Sequence, residues 1–246
     1  MNFKDSDFIE IEYDAWDAGS DTLIATTSES KAKESNIYDS KAKYGKVLVV
    51  VGSNGIIKGL DREIRSMNVG EKKKFTFKPE DAFGERNEDL VKVMPLSEFK
   101  ARDINPYPGM TVELDNVTAV VRSVNSGRVV VDANNPYAGK EISYEVKIVE
   151  HISSDEGKVR ALGRTYDAEP SNIKLSGTSL SMAYDQHINK NANYFVGKTS
   201  LIATVFNYMD KIEKVMIEEE YTKPKDTKTE THVHDGSEQD NEQQPA

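Results

Sequence analysis

Apolar and acidic residues alternate over residues 8–13 (FIEIEY), which predicts a half-buried strand. The β-branched run 47–51 (VLVVV), stopped by Gly52, predicts a buried strand. Ile57, Leu60, Ile64 and Met67 recur at helical spacing within 56–67, and Asn68 to Gly70 close that helix. Alternation returns at 72–77 (KKKFTF) and ends before Pro79. From 86 to 141 the texture changes: prolines stand at 95, 106, 108 and 136, between short strands predicted at 91–93, 111–114, 117–124 and 128–132. Asn125-Ser126-Gly127 reads as a hairpin turn between the last two. At 142–150 (ISYEVKIVE) one more strand places Ile142, Tyr144, Val146 and Ile148 on one face.

The polar segment 153–157 (SSDEG) predicts a domain boundary. Beyond it, strands are predicted at 158–165, 172–175 and 178–183. A helix over 193–211 would put Phe195, Thr199, Ile202, Phe206 and Met209 on one face, and a last strand runs over 213–220 with Val215 and Ile217 alternating against charge. These elements describe an α+β unit of about 65 residues, near the lower size limit for a core of its own, and predict that it leans on a partner surface or forms a homodimer. Residues 28–45 are a solvated excursion with room for a short helix; they carry Ser-Lys-Ala-Lys twice, too short a unit to be an architectural repeat. The segment 223–246 holds no aliphatic residue except Val233 and Ala246, and reads as a disordered tail.

Lys and Arg total 32 against 42 Asp and Glu, a net charge of −10, which argues against nucleic-acid binding because duplex affinity comes mostly from neutralising phosphates. The absence of cysteine excludes disulfides, thiolate nucleophiles, Cys-ligated zinc and iron–sulfur clusters. No apolar run approaches the roughly 18 residues of a membrane span, and the first residues carry acids without an apolar stretch, so a cytoplasmic location is expected. His232 and His234 in the tail are thin material for a metal site, and His151 and His187 stand alone as structural or surface residues; neither metal nor cofactor is expected. Gly52-Ser53-Asn54-Gly55 lacks the Gly-Lys-Ser/Thr that completes a phosphate-binding loop.

The segment 52–85, GSNGIIKGLDREIRSMNVGEKKKFTFKPEDAFGE, resembles the FKBP-type peptidyl-prolyl cis–trans isomerases: Gly, an apolar pair, Gly-Leu, a helix, Met-x-Val-Gly-Glu-Lys, a strand, and Pro-Glu-x-Ala-Phe-Gly. The region 86–141 resembles the SlyD-like subgroup, in which a second domain is inserted in the flap. Val93-Met94-Pro95-Leu96-Ser97-Glu98-Phe99 opens the insert, and Val129-Val130-Val131-Asp132-Ala133-Asn134-Asn135-Pro136 with Ala138-Gly139-Lys140 closes it, Tyr137 standing where leucine is usual. The resemblance covers residues 8–152, and the layout is similar to the archaeal long form. It implies an α+β fold, an antiparallel sheet wrapped on a short helix. It divides the chain into an isomerase domain (1–85 and 142–153), an inserted β-rich domain (86–141), a C-terminal α+β domain (154–222) and the tail (223–246).

Rotation about an amide C–N bond meets a barrier of about 18–20 kcal/mol from resonance, and X–Pro bonds interconvert in tens to hundreds of seconds. Lowering that barrier needs no nucleophile or metal. It needs an apolar pocket that holds proline and strips water from the preceding carbonyl, so that the less polar twisted state is favoured, and fixed donors that orient the carbonyl. By the resemblance, Tyr13 and Ile24 line one wall, Val47 and Val49 stand on the second strand, Ile56 and Ile57 form the rim, Leu60 is the floor, Phe83 faces the substrate and Tyr144 is the aromatic of the last strand. Two positions depart from the family: Ala25 stands where an acid is common, and Phe83 where many relatives have tyrosine, so both polar aids are missing from their usual places.

In SlyD-like proteins the insert captures unfolded chains and passes prolines to the pocket. The resemblance gives Val93, Met94, Leu96, Phe99 and Met110 this role, with Leu90, Val91 and Pro108 beside them; the alternative for each is the insert's own small core. The implied function is isomerisation of X–Pro bonds in folding polypeptides. The competing reading is a holdase chaperone on the same scaffold with weak or no isomerase activity.

Overall fold

The computed structural model describes residues 2–115, 117–185 and 192–221. It is α+β throughout, with an antiparallel sheet at the centre. The spine is β1 (Phe8–Asp17), which pairs along its whole length with β9 (Ile142–Ile152). On its other edge β1 pairs first with β3 (Val47–Val50) and then with β2 (Thr22–Thr26), while β4 (Lys72–Phe77) pairs with the far side of β9. The alternation read from the sequence decides which face is buried. Ile9, Ile11 and Ala15 of β1 and Ile142, Tyr144, Val146 and Ile148 of β9 all point to α2 (Lys58–Ile64), where Leu60 and Ile64 meet them. The helix lies so close to β4 that a Cβ on Gly59 would stand 2.4 Å from the Phe77 ring.

The insert has its own sheet, in the order β5 (Val91–Pro95), β8 (Arg128–Asp132), β7 (Val117–Asn125), β6 (Thr111–Leu114). A short helix, α3 (Leu96–Lys100), closes one side, and Phe99, Val112, Ala119, Val121, Val129 and Val131 form a separate small core.

Beyond β9 the structure departs from the sequence reading. Residues predicted as a strand at 158–165 belong to a helix, α4 (Asp155–Thr165). The Ser154 hydroxyl accepts from the Gly157 N–H, Asp155 and Glu156 occupy the first turn, and Val159 and Leu162 bury one helical face, so the segment read as a polar joint is a helix start. β10 (Asn172–Ser176) and β11 (Ser179–Tyr184) form a hairpin. The helix α5 (Ala192–Tyr208) then crosses over to β12 (Lys214–Glu219), which runs parallel to β11. This helix is turned from the predicted face: Tyr194, Gly197, Leu201 and Val205 are buried, whereas Phe195 and Phe206 are 42% and 47% exposed. Gly197 explains the turn, because a Cβ there would fall 1.9 Å from the Tyr166 carbonyl oxygen and only glycine allows that contact.

The C-terminal unit shares its core with the central sheet. Phe8, Val50 and Ile152, on the sheet face away from α2, join Val159, Leu162, Leu180, Leu201 and Val205 in one cluster. The excursion 28–45 also takes part. It contains α1 (Glu29–Glu34), and its Lys43 Nζ donates to the Arg164 and Thr165 carbonyls at 2.8 and 3.1 Å, a cation at the C-terminus of α4. The buried carboxylate of Glu10 pairs with Arg164 at 3.2 Å and with Lys46. His151 is half-buried, edge-on to Phe3 at 5.4 Å, and 3.5 Å from the Asp7 carboxylate. His187, and the tail with His232 and His234, lie outside the described residues. Among the described residues no group of three or more His, Asp or Glu could hold a metal ion, and no helix is long and apolar enough to cross a membrane.

Candidate active site

One face of the central sheet and α2 enclose the apolar core of this part of the chain, and all nine residues named for the pocket belong to that cluster. Val49, Leu60 and Tyr144 are buried; Tyr13, Ile24, Val47, Ile56, Ile57 and Phe83 are half-buried. β1 and β9 bring Tyr13 and Tyr144 to a ring separation of 5.6 Å. Ile57 is the residue before α2 and Leu60 lies in its first turn, so the helix start carries the residues expected at rim and floor. Phe83 follows the 3-10 turn Pro79–Asp81.

Beside the core residues of β1, β9 and α2, the cluster also takes in Ala25, Phe75, Phe77, Ala82 and Tyr137. Phe75 and Phe77 were legible as the apolar face of KKKFTF. Tyr137 was not, because it comes from the turn that closes the insert. Its ring stands 5.4 Å from that of Phe83, and the Gly139 N–H donates to the Gly84 carbonyl at 2.8 Å, tying the two turns together.

The pocket's polar groups are phenols. Neither the Tyr13 nor the Tyr144 hydroxyl has a hydrogen-bond partner among the described residues. Burial pushes the Tyr13 hydroxyl up, and it pushes Tyr144 up to about 12, helped by the neighbouring phenols of Tyr13 and Tyr137. Both are neutral donors at neutral pH. No acid comes from β2, where Ala25 pairs with Ala15. The nearby Asp14 is turned to the other face, accepting from Thr26 Oγ1 and from Lys31 Nζ, both at 2.5 Å.

The profile of the FKBP-type peptidyl-prolyl cis–trans isomerases matches residues 2–100, and that of the FKBP26 IF domain matches residues 92–137. A short-type peptidyl-prolyl cis–trans isomerase of Methanocaldococcus jannaschii is 31% identical over 145 residues, 59% of this chain and 91% of that protein. The chain belongs to the FKBP-type peptidyl-prolyl cis–trans isomerase family. The FKBP-type isomerase SlyD of Vibrio cholerae is 34% identical over 112 residues, 44% of this chain and 55% of that protein. A probable FKBP-type 16 kDa isomerase of Pseudomonas fluorescens is 24% identical over 137 residues, 54% of this chain and 90% of that protein.

In this FKBP-type chain the residues named for capture divide between surface and core. Val93 is 62% exposed and, with Met94, Leu90, Lys92, Leu114 and Val117, lines a cleft of about 450 Å³ on the insert. Leu96 and Met110 are half-buried against the insert core. Phe99 is 1% exposed at the centre of that core and presents nothing to a client, which corrects its assignment to the capture surface. Its place in α3, packed under β7 and β8, is the reason.

Proposed function

We propose that this FKBP-type isomerase accelerates X–Pro isomerisation in unfolded and partly folded polypeptides, and that its insert captures those chains for the pocket. The observation that carries the first half is that the nine residues share one apolar cluster, with two unengaged phenols, Tyr13 and Tyr144, among them. A proline ring entering between Tyr13, Ile57, Leu60 and Tyr144 leaves water behind, and its preceding carbonyl loses hydration at the same time. The planar amide, with more charge on oxygen, suffers more from this loss than the twisted one. A single phenol donor orients the carbonyl while replacing only part of the hydration that favours the planar form. Nothing in this scheme requires a cofactor.

The insert cleft supports the second half: it is open, apolar and furnished with Met94, whose flexible side chain adapts to varied partners. Tethered beside the pocket, a weak site raises the local concentration of proline-containing segments. The exposed phenylalanines Phe195 and Phe206 on α5 support a homodimer formed through the C-terminal unit. The acidic, cysteine-free composition supports a cytoplasmic location.

Two assays test this reading: turnover of a short X–Pro peptide, and the rate of a proline-limited refolding reaction. The expected result is that both are accelerated and that L90D/V93D slows only the second. A chain that turns over no peptide yet suppresses aggregation of unfolded protein would be a holdase instead. Light scattering is expected to give a dimer mass that falls to the monomer in F195E/F206E; a wild-type monomer at every concentration would remove the dimer.

A further inference from the structure

The Ala-Phe-Gly turn lacks a hydroxyl at Phe83, and the chain carries one directly beside it at Tyr137. Three features of the structure bear on this phenol. Its ring packs on Phe83 at 5.4 Å and 43°, and it belongs to the apolar cluster of the pocket. It shares that cluster with Tyr13 and Tyr144, whose rings stand 5.6 Å apart. Its position is fixed from both sides. The Tyr137 N–H donates to Asn135 Oδ1 at 2.9 Å, the Lys140 N–H donates to the Tyr137 carbonyl at 3.1 Å, and Gly139 is bonded to Gly84 at 2.8 Å. Lys140 Nζ, held by Asp17 at 2.6 Å, stands 5.9 Å from the ring centroid. The Tyr137 hydroxyl itself has no partner among the described residues.

We propose that Tyr137, a residue of the insert's closing turn, is a substrate-orienting residue of the isomerase pocket, its hydroxyl donating to the substrate carbonyl in place of the group Phe83 lacks. This rests on the isomerase reading above. The donor is neutral and needs no proton transfer: its hydrogen bond forms as the substrate binds and breaks as it leaves. One consequence is geometric. The donor rides on the chain that leaves the insert, so the pocket is complete only when that turn is docked against Gly84.

The test is kcat/KM on a short X–Pro peptide for the full chain, Y137F and Y137F/F83Y, with melting temperature as a control for folding. Y137F keeps the ring and its packing and removes only the donor. It is expected to lower kcat/KM by about three- to tenfold, the effect of one neutral hydrogen bond. Adding F83Y is expected to restore most of the loss. A Y137F value equal to wild type, or a double variant no better than Y137F, overturns the proposal. If the wild-type chain turns over no peptide at all, the isomerase reading itself fails, and the proposal falls with it.

Discussion

Asn87 and Asn134 hold each other across the neck of the insert: the Asn87 N–H donates to Asn134 Oδ1 at 2.8 Å, and Asn134 Nδ2 donates back to the Asn87 carbonyl at 2.9 Å. The chain entering the insert is thereby tied to the chain leaving it. The buried carboxylate of Asp132 extends the tie, accepting from the Asn134 side chain and N–H at 2.8 and 3.0 Å, from Arg122 at 2.9 Å and from Arg86. Asn134→Ala removes both halves of the reciprocal pair and one hydrogen bond to the buried Asp132 carboxylate. A stability loss of about 1–3 kcal/mol is expected, read by chemical denaturation.

The same carboxylate sets an acid limit. Burial alone would raise its pKa, but the hydrogen bonds from Asn134, Arg122 and Arg86 outweigh this and hold it well below the usual carboxylate range. A group whose pKa is depressed by folding contributes stability above its unfolded value, about 3.9, and loses that contribution as pH falls through the folded value. The neck is therefore expected to hold unchanged from pH 7 to about 4 and to weaken below. Melting temperatures at pH 7 and pH 3 check this: Asp132→Asn should lower the first and shrink the difference between the two.

Leu60 and Ile57 separate packing from binding. Leu60 is fully buried and Ile57 half-buried at the rim. Leu60→Ala should cost about 2–5 kcal/mol of stability as well as activity. Ile57→Ala should cost far less stability while raising KM for a short peptide. Denaturant titration beside steady-state kinetics distinguishes them; equal stability losses would show Ile57 to be core.

Lys43 joins the excursion to α4 through the Arg164 and Thr165 carbonyls and a 2.7 Å pair with Asp167. Its head is half-exposed, so Lys43→Ala is expected to cost only about 0.3–1 kcal/mol, and less at high salt. Denaturation at two ionic strengths reads both.

Much of the central sheet could be read in the sequence because one face of each strand is apolar and the other is not: FIEIEY, KKKFTF and ISYEVKIVE state their own burial. The residues proposed for the pocket come from a resemblance, carried by GSNGIIKGLDREIRSMNVGEKKKFTFKPEDAFGE, and the structure gathers them in one cluster. Among the predicted elements, those that failed lay past β9. In KVRALGRT, apolar and basic residues alternate briefly, and the alternation masked a helix whose deciding signal is the Ser154 cap before it. The face of α5 was misjudged because its packing centre is a glycine, which no hydrophobicity pattern marks. The Tyr137 contact was invisible for a different reason: it joins two turns far apart in the chain, and only the closed neck brings them together.

That neck also dictates an order of events during folding. β9 pairs with β1 and β4, strands that precede the insert, so the central sheet must close its longest loop around everything between them. The insert's own pairings, above all the β7–β8 hairpin, are local. Closing a long flexible loop costs more entropy than closing one already shortened by a folded unit, and non-local pairing is slow. The insert is thus a folding aid to its own host: once its sheet has formed, the two ends of the neck are neighbours and β9 arrives beside its partners. Pulsed hydrogen exchange during refolding should find the β7–β8 amides protected before those of β1 and β9, and disrupting the Asn87–Asn134 tie should delay the second set more than the first.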